Sequence, residues 1–327
     1  LLTERLLAWY RRGRRDLPWR RTRDPYAIWV SEIMLQQTRV QAVLPYYERF
    51  LAQFPDVNAL AEATEEQVLA CWSGLGYYAR ARNLQKGART IAAAGGFPRE
   101  FRALRELRGV GDYTAAAIAS IAFDQPHAAV DGNVLRVIAR LENDGADIAS
   151  GRTRERFRKT AQGLLDPESP GEFNQAMMEL GATVCLPRDP LCLLCPVAAG
   201  CGARAAGTAN QLPIKLKKQE PERVSGTLAV VEKNGKVLLW QRPETSPRMA
   251  GFWELPAPEQ LPGFRAGGTL AMIRHTITRH HYEFAVIRGD LPRAPRGFRW
   301  FSPPELARIP LSTTARKALA AAKPRAF

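Results

Sequence analysis

Apolar positions change their spacing once along this chain. Over residues 1 to about 206 they recur every three or four residues, in short stretches. Leu135, Ile138 and Leu141 share one face of such a stretch; Phe157, Ala161 and Leu164 share another. Pro25, Pro45, Pro55, Gly74–Gly76, Gly95–Gly96, Gly109–Gly111 and Pro126 punctuate the pattern and mark expected breaks between helices. No internal repeat of fixed period and no coiled-coil heptad is present. After Cys201 the residues become small and polar, then charged, as far as Arg223. That composition predicts a linker over 207–224. Beyond it the grammar is β. Thr227 to Val231 and Val237 to Gln241 flank Lys233-Asn234-Gly235-Lys236, a strong hairpin signal. Further strands are expected at 270–278, 281–288 and 297–301, and helices at 303–308 and 312–321. The reading is a mainly α region over 1–206 and an α+β domain over 225–327.

Composition agrees with two globular domains. The chain has 327 residues, 46% hydrophobic and 24% charged, which excludes a mainly disordered, collagen-like or disulfide-scaffold protein. No apolar run approaches the roughly 18–20 residues of a membrane span. Leu1 to Tyr10 carry Glu4 and Arg5 where a signal peptide needs its apolar stretch. The expectation is a soluble cytoplasmic monomer with no membrane partner, nucleoid-associated if bacterial. Charge sharpens the picture. Lys and Arg total 47 against 32 Asp and Glu, a net of +15. Residues 211–327 carry +11 of that excess. Such a protein expects a polyanion, most often nucleic acid.

Four of the five cysteines, Cys185, Cys192, Cys195 and Cys201, fall in one loop, with six, two and five residues between them. Thiolates so close can enclose one metal centre, either a [4Fe–4S] cluster or a structural zinc. Disulfides suit an intracellular chain poorly. Cys71, alone before Trp72, reads as a core residue.

Three further features carry chemistry. Gly109-Val110-Gly111 precedes an Ala-rich helix. Two glycines let backbone N–H groups point outward, beside the positive end of that helix, which makes a phosphate site blind to base sequence; a plain joint between helices would use the same glycines. Glu32 has Ile28, Trp29, Leu35 and Gln36 as same-face helical neighbours, three of them apolar. Desolvation there raises a carboxyl pKa, as a general acid requires, unless Glu32 simply pairs with Arg39 or Arg20. Asp131, in Val130-Asp131-Gly132-Asn133, precedes a helical run. It reads either as an N-cap or as a carboxylate kept ionised by helix N–H groups. One raised and one ionised carboxylate divide the labour of cleaving glycosidic bonds.

Taken in order, the glycine hairpin, Val-Asp-Gly-Asn and the four-cysteine loop resemble the helix–hairpin–helix DNA glycosylases of the endonuclease III type. Pro18-Trp19-Arg20, Ser31-Glu32-Ile33-Met34-Leu35-Gln36-Gln37-Thr38 and Phe173-Asn174-Gln175-Ala176-Met177-Met178-Glu179-Leu180-Gly181 resemble the MutY-type adenine glycosylases within that superfamily. The resemblance spans nearly all of residues 1–205 and its motifs are highly specific. It implies a [4Fe–4S] cluster on the four cysteines and double-stranded DNA as partner. It implies removal of adenine opposite 8-oxoguanine or G after the base is flipped out. Glu32 would protonate the adenine, and Asp131, oriented by Asn133, would stabilise the oxocarbenium-like sugar. Tyr113 stands where the bifunctional relatives carry a Schiff-base Lys, so water is the implied nucleophile. Trp19, Arg20 and Gln175 match positions lining the adenine pocket. Gln37, Leu75 and Tyr77 match residues wedged around the opposite base, with Thr38 beside them.

The second domain resembles the Nudix-like domain that recognises 8-oxoguanine. Gly251-Phe252-Trp253-Glu254-Leu255-Pro256 echoes a Nudix strand, but no Arg-Glu-x-x-Glu-Glu box follows, so nucleotide hydrolysis is not expected. The family's Phe-Ser-His probe corresponds to Ile277-Thr278-Arg279, which makes Thr278 and Arg279 the implied lesion contacts. Two alternatives differ from this reading: a related glycosylase for T·G mispairs, and a non-catalytic DNA-binding module.

Overall fold

The computed structural model describes residues 2–216, 222–243, 245–246, 249–277 and 280–322. Its contacts divide the chain into two compact units, Leu1–Ala61 with Lys86–Lys218, and Glu62–Gln85 with Gln219–Phe327. The division departs from the linear boundary expected from composition, because residues 62–85 join the second unit.

The first unit is helical. Its helices include Leu2–Gly13, Pro25–Leu35, Val40–Gln53, Phe101–Glu106, Asp112–Phe123, Gly132–Leu141, Gly151–Leu164 and Pro170–Thr183. The Pro170–Thr183 helix packs against Leu2–Gly13, Asp112–Phe123 and Gly132–Leu141. A buried cluster including Leu6, Val137, Ile138, Phe157, Phe173 and Leu180 fills the space between them. The expected break at Pro45 is absent, since Pro45 lies inside Val40–Gln53. Burial of Val43, Tyr47 and Phe50 on one face of that helix offsets the roughly 3 kcal/mol that an interior proline costs. Pro25 instead starts its helix, capped by Asp24, whose carboxylate accepts from the Tyr26 and Ala27 N–H groups. Part of the expected linker is tied down. Arg140 Nε donates to Leu212 O at 3.0 Å and Ile148 N–H to Ile214 O at 3.0 Å.

The second unit holds two sheets. Strand Glu222–Val230 runs parallel to His280–Asp290, which pairs antiparallel with Arg265–Ile277. In the other sheet, Lys236–Gln241 pairs with Glu232–Lys233, Trp253–Glu254 and Phe298–Phe301. The expected hairpin turn is present, with Asn234 and Gly235 at φ 51° and 69°. However, only Glu232–Lys233 returns on Lys236–Gln241, because the strand before it belongs to the first sheet. Helix Thr313–Ala322 packs on Arg265–Ile277 and buries Ala315, Ala318 and Ala322. The loop over residues 73–78 is fixed within this unit. Ser73 Oγ donates to Leu311 O at 2.8 Å and accepts from Arg316 Nη2 at 2.8 Å, and the Tyr78 ring lies 4.0 Å from that of Phe252.

Candidate active site

Glu32 sits on the Pro25–Leu35 helix, whose residues 26–34 are all buried. Glu32 as a whole is 5% exposed. Desolvation raises its pKa to about 7; the neighbouring charge of Asp131 adds to the rise, while the Tyr113 hydrogen bond and the charge of Arg20 oppose it. The Tyr113 hydroxyl donates to Glu32 Oε2 at 2.6 Å, and the Met178 sulfur lies 3.2 Å from the same hydroxyl. Burial, then the charges of Glu32 and Asp131, push the Tyr113 phenol well above its ordinary value, so it remains a donor. Arg20 pairs with Glu179.

Asp131 caps the Gly132–Leu141 helix. Its Oδ1 accepts the Val134 N–H at 2.8 Å, and its Oδ2 accepts Asn133 Nδ2 at 2.8 Å. Burial raises the Asp131 pKa more than these donors and the Arg136 charge lower it. Asn133 is itself oriented, since its Oδ1 accepts from Arg136 Nη2 at 2.8 Å. Arg136 also donates to the carbonyl oxygens of Gly181 and Cys185. Gly181 permits the close helix crossing at this point, because a Cβ there would meet Asn133 Cβ at 2.6 Å.

A cationic wall stands in the same unit. Arg20 donates to Glu179 Oε2 at 2.7 Å and to Arg15 O at 3.1 Å, and its guanidinium lies over the Tyr10 ring. Arg15 grips both oxygens of Glu179 at 2.8 and 2.6 Å. Although burial works upward, these donors and the Arg20 charge hold the Glu179 carboxyl down at about 2. The Tyr10 hydroxyl donates to Gln175 Oε1 at 3.1 Å. Trp19 is buried edge-on against Tyr47. Gln37 is exposed at φ 58°, and Thr38 Oγ1 donates to Gln36 O at 3.3 Å. Reading the sequence gave no role to Glu179, Arg136 or Asn174. Glu179 and Asn174 lie in the quoted Phe173–Gly181 motif, and their burial beneath polar partners was the missing signal. Asn174 fixes the segment leading to Asp131 by accepting the Ala129 N–H at 2.9 Å and donating to His127 O at 2.8 Å.

The glycine hairpin has the expected shape. Gly109 has φ 81°, the Val110 side chain is buried, and Gly111 starts the Asp112–Phe123 helix without a side-chain cap. Gly109 and Gly111 are exposed, which leaves the first N–H groups of that helix to an outside acceptor. Leu75 and Tyr77 belong to the second unit. Leu75 is buried, whereas Tyr77 is 38% exposed at φ 50°. Thr278 and Arg279 lie outside the described residues.

None of the five cysteines forms a disulfide, and Cys71 is buried. Arg140 Nη1 lies 3.2 Å from Cys185 Sγ, and Cys201 Sγ lies 3.4 Å from Arg140 O. Burial raises Cys195 to about 11, with the three other loop cysteines adding to the rise. Among the described residues, no three His, Cys, Asp or Glu side chains converge as a single metal ion requires.

Residues 30–162 match the model of the HhH-GPD superfamily base excision DNA repair protein. A mouse (Mus musculus) adenine DNA glycosylase is 38% identical over 95% of this chain and 76% of its own length; the human (Homo sapiens) one is 36% identical over 95% and 72%. The chain belongs to the adenine DNA glycosylase family. Among solved structures, a thermostable thymine-DNA glycosylase is 29% identical, with a TM-score of 0.56 over 62% of this chain and 95% of that one. An endonuclease III–DNA complex, 23% identical, shares the fold over 63% of this chain and 94% of that one, with a TM-score of 0.53. Endonuclease III-like members of this superfamily commonly carry an iron–sulfur cluster. No helix among the described residues is long and apolar enough to cross a membrane.

Proposed function

We propose that this family member flips adenine out of duplex DNA, where it stands opposite 8-oxoguanine or G, and hydrolyses its N-glycosidic bond with water. The observation that carries the reading is Glu32, buried, raised to about 7 and hydrogen-bonded by Tyr113. Near neutral pH a substantial fraction of Glu32 is protonated and able to donate to the departing base. As the proton leaves, the Tyr113 hydroxyl stabilises the new carboxylate. Asp131, held by Val134 and Asn133, supports positive charge on the sugar. Tyr113 has no amine, so this position cannot form the Schiff base that a Lys there would. Trp19, Arg20 and Gln175 line the adenine pocket in this reading. Gln37, Thr38, Leu75 and Tyr77 serve the opposite base, the Gly109–Gly111 turn holds phosphate, and Thr278 and Arg279 contact the lesion from a Nudix-like domain.

Cys185, Cys192, Cys195 and Cys201 would hold a [4Fe–4S] cluster. Their mutual electrostatic influence at Cys195 supports a shared group. Bound there, the cluster supplies a covalent cross-link that stiffens the loop. Removing it by chelation is expected to lower the melting temperature and weaken DNA binding, read by calorimetry and filter binding.

Single-turnover adenine release from an 8-oxoguanine·A duplex, beside G·A and T·G duplexes, tests the function. Release from the first two is expected, slowed by about 10²- to 10⁴-fold in Glu32→Gln. Cleavage of T·G alone would move the chain to thymine. No cleavage anywhere, with DNA binding retained, would leave a binding module.

A further inference from the structure

We propose that Arg80 is the positioning residue of Tyr77: its guanidinium clamps the peptide before Tyr77 and backs the Tyr77 ring, so the ring is set to enter the base stack before DNA arrives. The proposal rests on the role given to Tyr77 above and deepens it. Trp72, Gly76, Tyr77 and Arg80 all belong to the second unit.

The backbone here needs holding. Gly76 has φ 77° and Tyr77 φ 50°. Glycine enters that left-handed region freely, whereas tyrosine is opposed by its own Cβ. Arg80, in the first turn of the Ala79–Ala93 helix, meets the strained step at three points. Its Nη2 donates to Gly76 O at 3.1 Å, and its backbone N–H donates to Tyr77 O at 2.9 Å. Its guanidinium carbon lies 5.3 Å from the centre of the Tyr77 ring. Trp72 Nε1 donates to the same Gly76 oxygen at 3.1 Å, and Trp72 is fully buried. Both lone pairs of that carbonyl are then occupied, so the peptide joining Gly76 to Tyr77 cannot turn without breaking two bonds.

Charge adds to the clamp. The guanidinium also lies 5.5 Å from the centre of the Trp72 ring. Burial pulls the Arg80 pKa down to about 10, with Tyr77 acting in the opposite direction. Arg80 therefore remains a cation near neutral pH, in a desolvated place where attraction to a ring is strongest. A planar fork can hold a carbonyl and lie against two rings at once, which an ammonium cannot. Tyr77 keeps 38% of its surface exposed. A large ring fixed from beneath and open outward loses little freedom when it stacks on a base.

The test uses the full-length protein and a duplex whose target adenosine carries a 2′-fluoro group, which blocks cleavage. A 2-aminopurine beside the opposite base brightens when a side chain unstacks it. Tyr77→Ala is expected to abolish that rise. Arg80→Met should shrink it and weaken binding by about tenfold, the scale of one charge-assisted hydrogen bond. Arg80→Lys should recover part of both. In the Tyr77→Ala background, Arg80→Met should weaken binding no further, a non-additivity that general damage to the fold would not produce. The salt slope should be unchanged, since Arg80 acts on the ring and not on phosphate. Trp72→Phe removes the other donor to Gly76 O and should also shrink the rise, which keeps the idea testable if Arg80→Met does not fold. A full rise in both Arg80→Met and Trp72→Phe, or an equal further loss in the Tyr77→Ala background, overturns the proposal. A full rise in Tyr77→Ala instead refutes the role of Tyr77 itself.

Discussion

Glu32 illustrates how one residue trades stability for chemistry. Its carboxyl rises from an ordinary value of 4.5 to about 7 on folding. A raised carboxyl favours the folded state fully only below the unfolded value, and that advantage is lost as pH climbs through about 7. Glu32→Gln is therefore expected to melt higher than the unaltered chain at pH 8.5, by up to about 3 kcal/mol, and nearly equally at pH 4. The same titration should bring single-turnover release down on the alkaline side of about pH 7. Glu179 has the opposite sign. Held at about 2, it stabilises the fold above pH 4.5, and that stability is lost as pH falls towards 2. Glu179→Gln should flatten the acid limb of the melting curve while leaving two arginines without their carboxylate. The apolar face around Glu32 made its raised pKa legible in the sequence. Its donor Tyr113, 81 positions away, could not be read from helical spacing. The rise at Asp131 was equally hidden, because it comes from burial beneath other helices rather than from neighbours in sequence.

At the scale of elements, the site depends on how closely two helices cross. Asn133 orients Asp131 from the start of Gly132–Leu141, and Gly181 lies against Asn133 from Pro170–Thr183. Gly181→Ala would place a methyl group 2.6 Å from Asn133 Cβ and 3.2 Å from its carbonyl oxygen. The helices must separate, at about 1–3 kcal/mol of stability. Asn133 would then shift with its helix, so adenine release should slow even at temperatures where circular dichroism shows a folded chain. Normal single-turnover rates in this variant would mean that Asn133 does not set the position of Asp131. Periodicity marked the stretches that fold as Gly132–Leu141 and Gly151–Leu164, where Leu135, Ile138, Phe157 and Ala161 are buried. Punctuation was the weaker guide, because Pro45 interrupts no helix whose buried face is already apolar. The Asn234-Gly235 turn was legible because its two left-handed residues are a local requirement. The partner of the strand before it was not, since a parallel pairing with His280–Asp290 leaves no local mark.

For the whole molecule, composition located the change from helix to strand but not the limits of the compact units. Residues 62–85 read as helical, like their neighbours, yet Ser73 and Tyr78 fasten their loop to Leu311, Arg316 and Phe252. Those bonds span more than 160 positions, beyond any local pattern. Charge is the one property that sequence alone fixes at this scale. A net of +15, with +11 over residues 211–327, gives attraction for DNA that does not depend on the mispair. Affinity for an undamaged duplex should thus fall linearly on logarithmic axes of affinity and salt, with a slope near −0.9 for each phosphate neutralised. A footprint of about six phosphates would give a slope of about −5. Discrimination between 8-oxoguanine·A and an undamaged pair should change far less with salt, because flipping and base contacts are short-range and partly buried. Equal salt slopes with a constant ratio between the two duplexes are the expected result. A ratio that collapses as salt rises would place lesion preference in the basic surface rather than in the pocket.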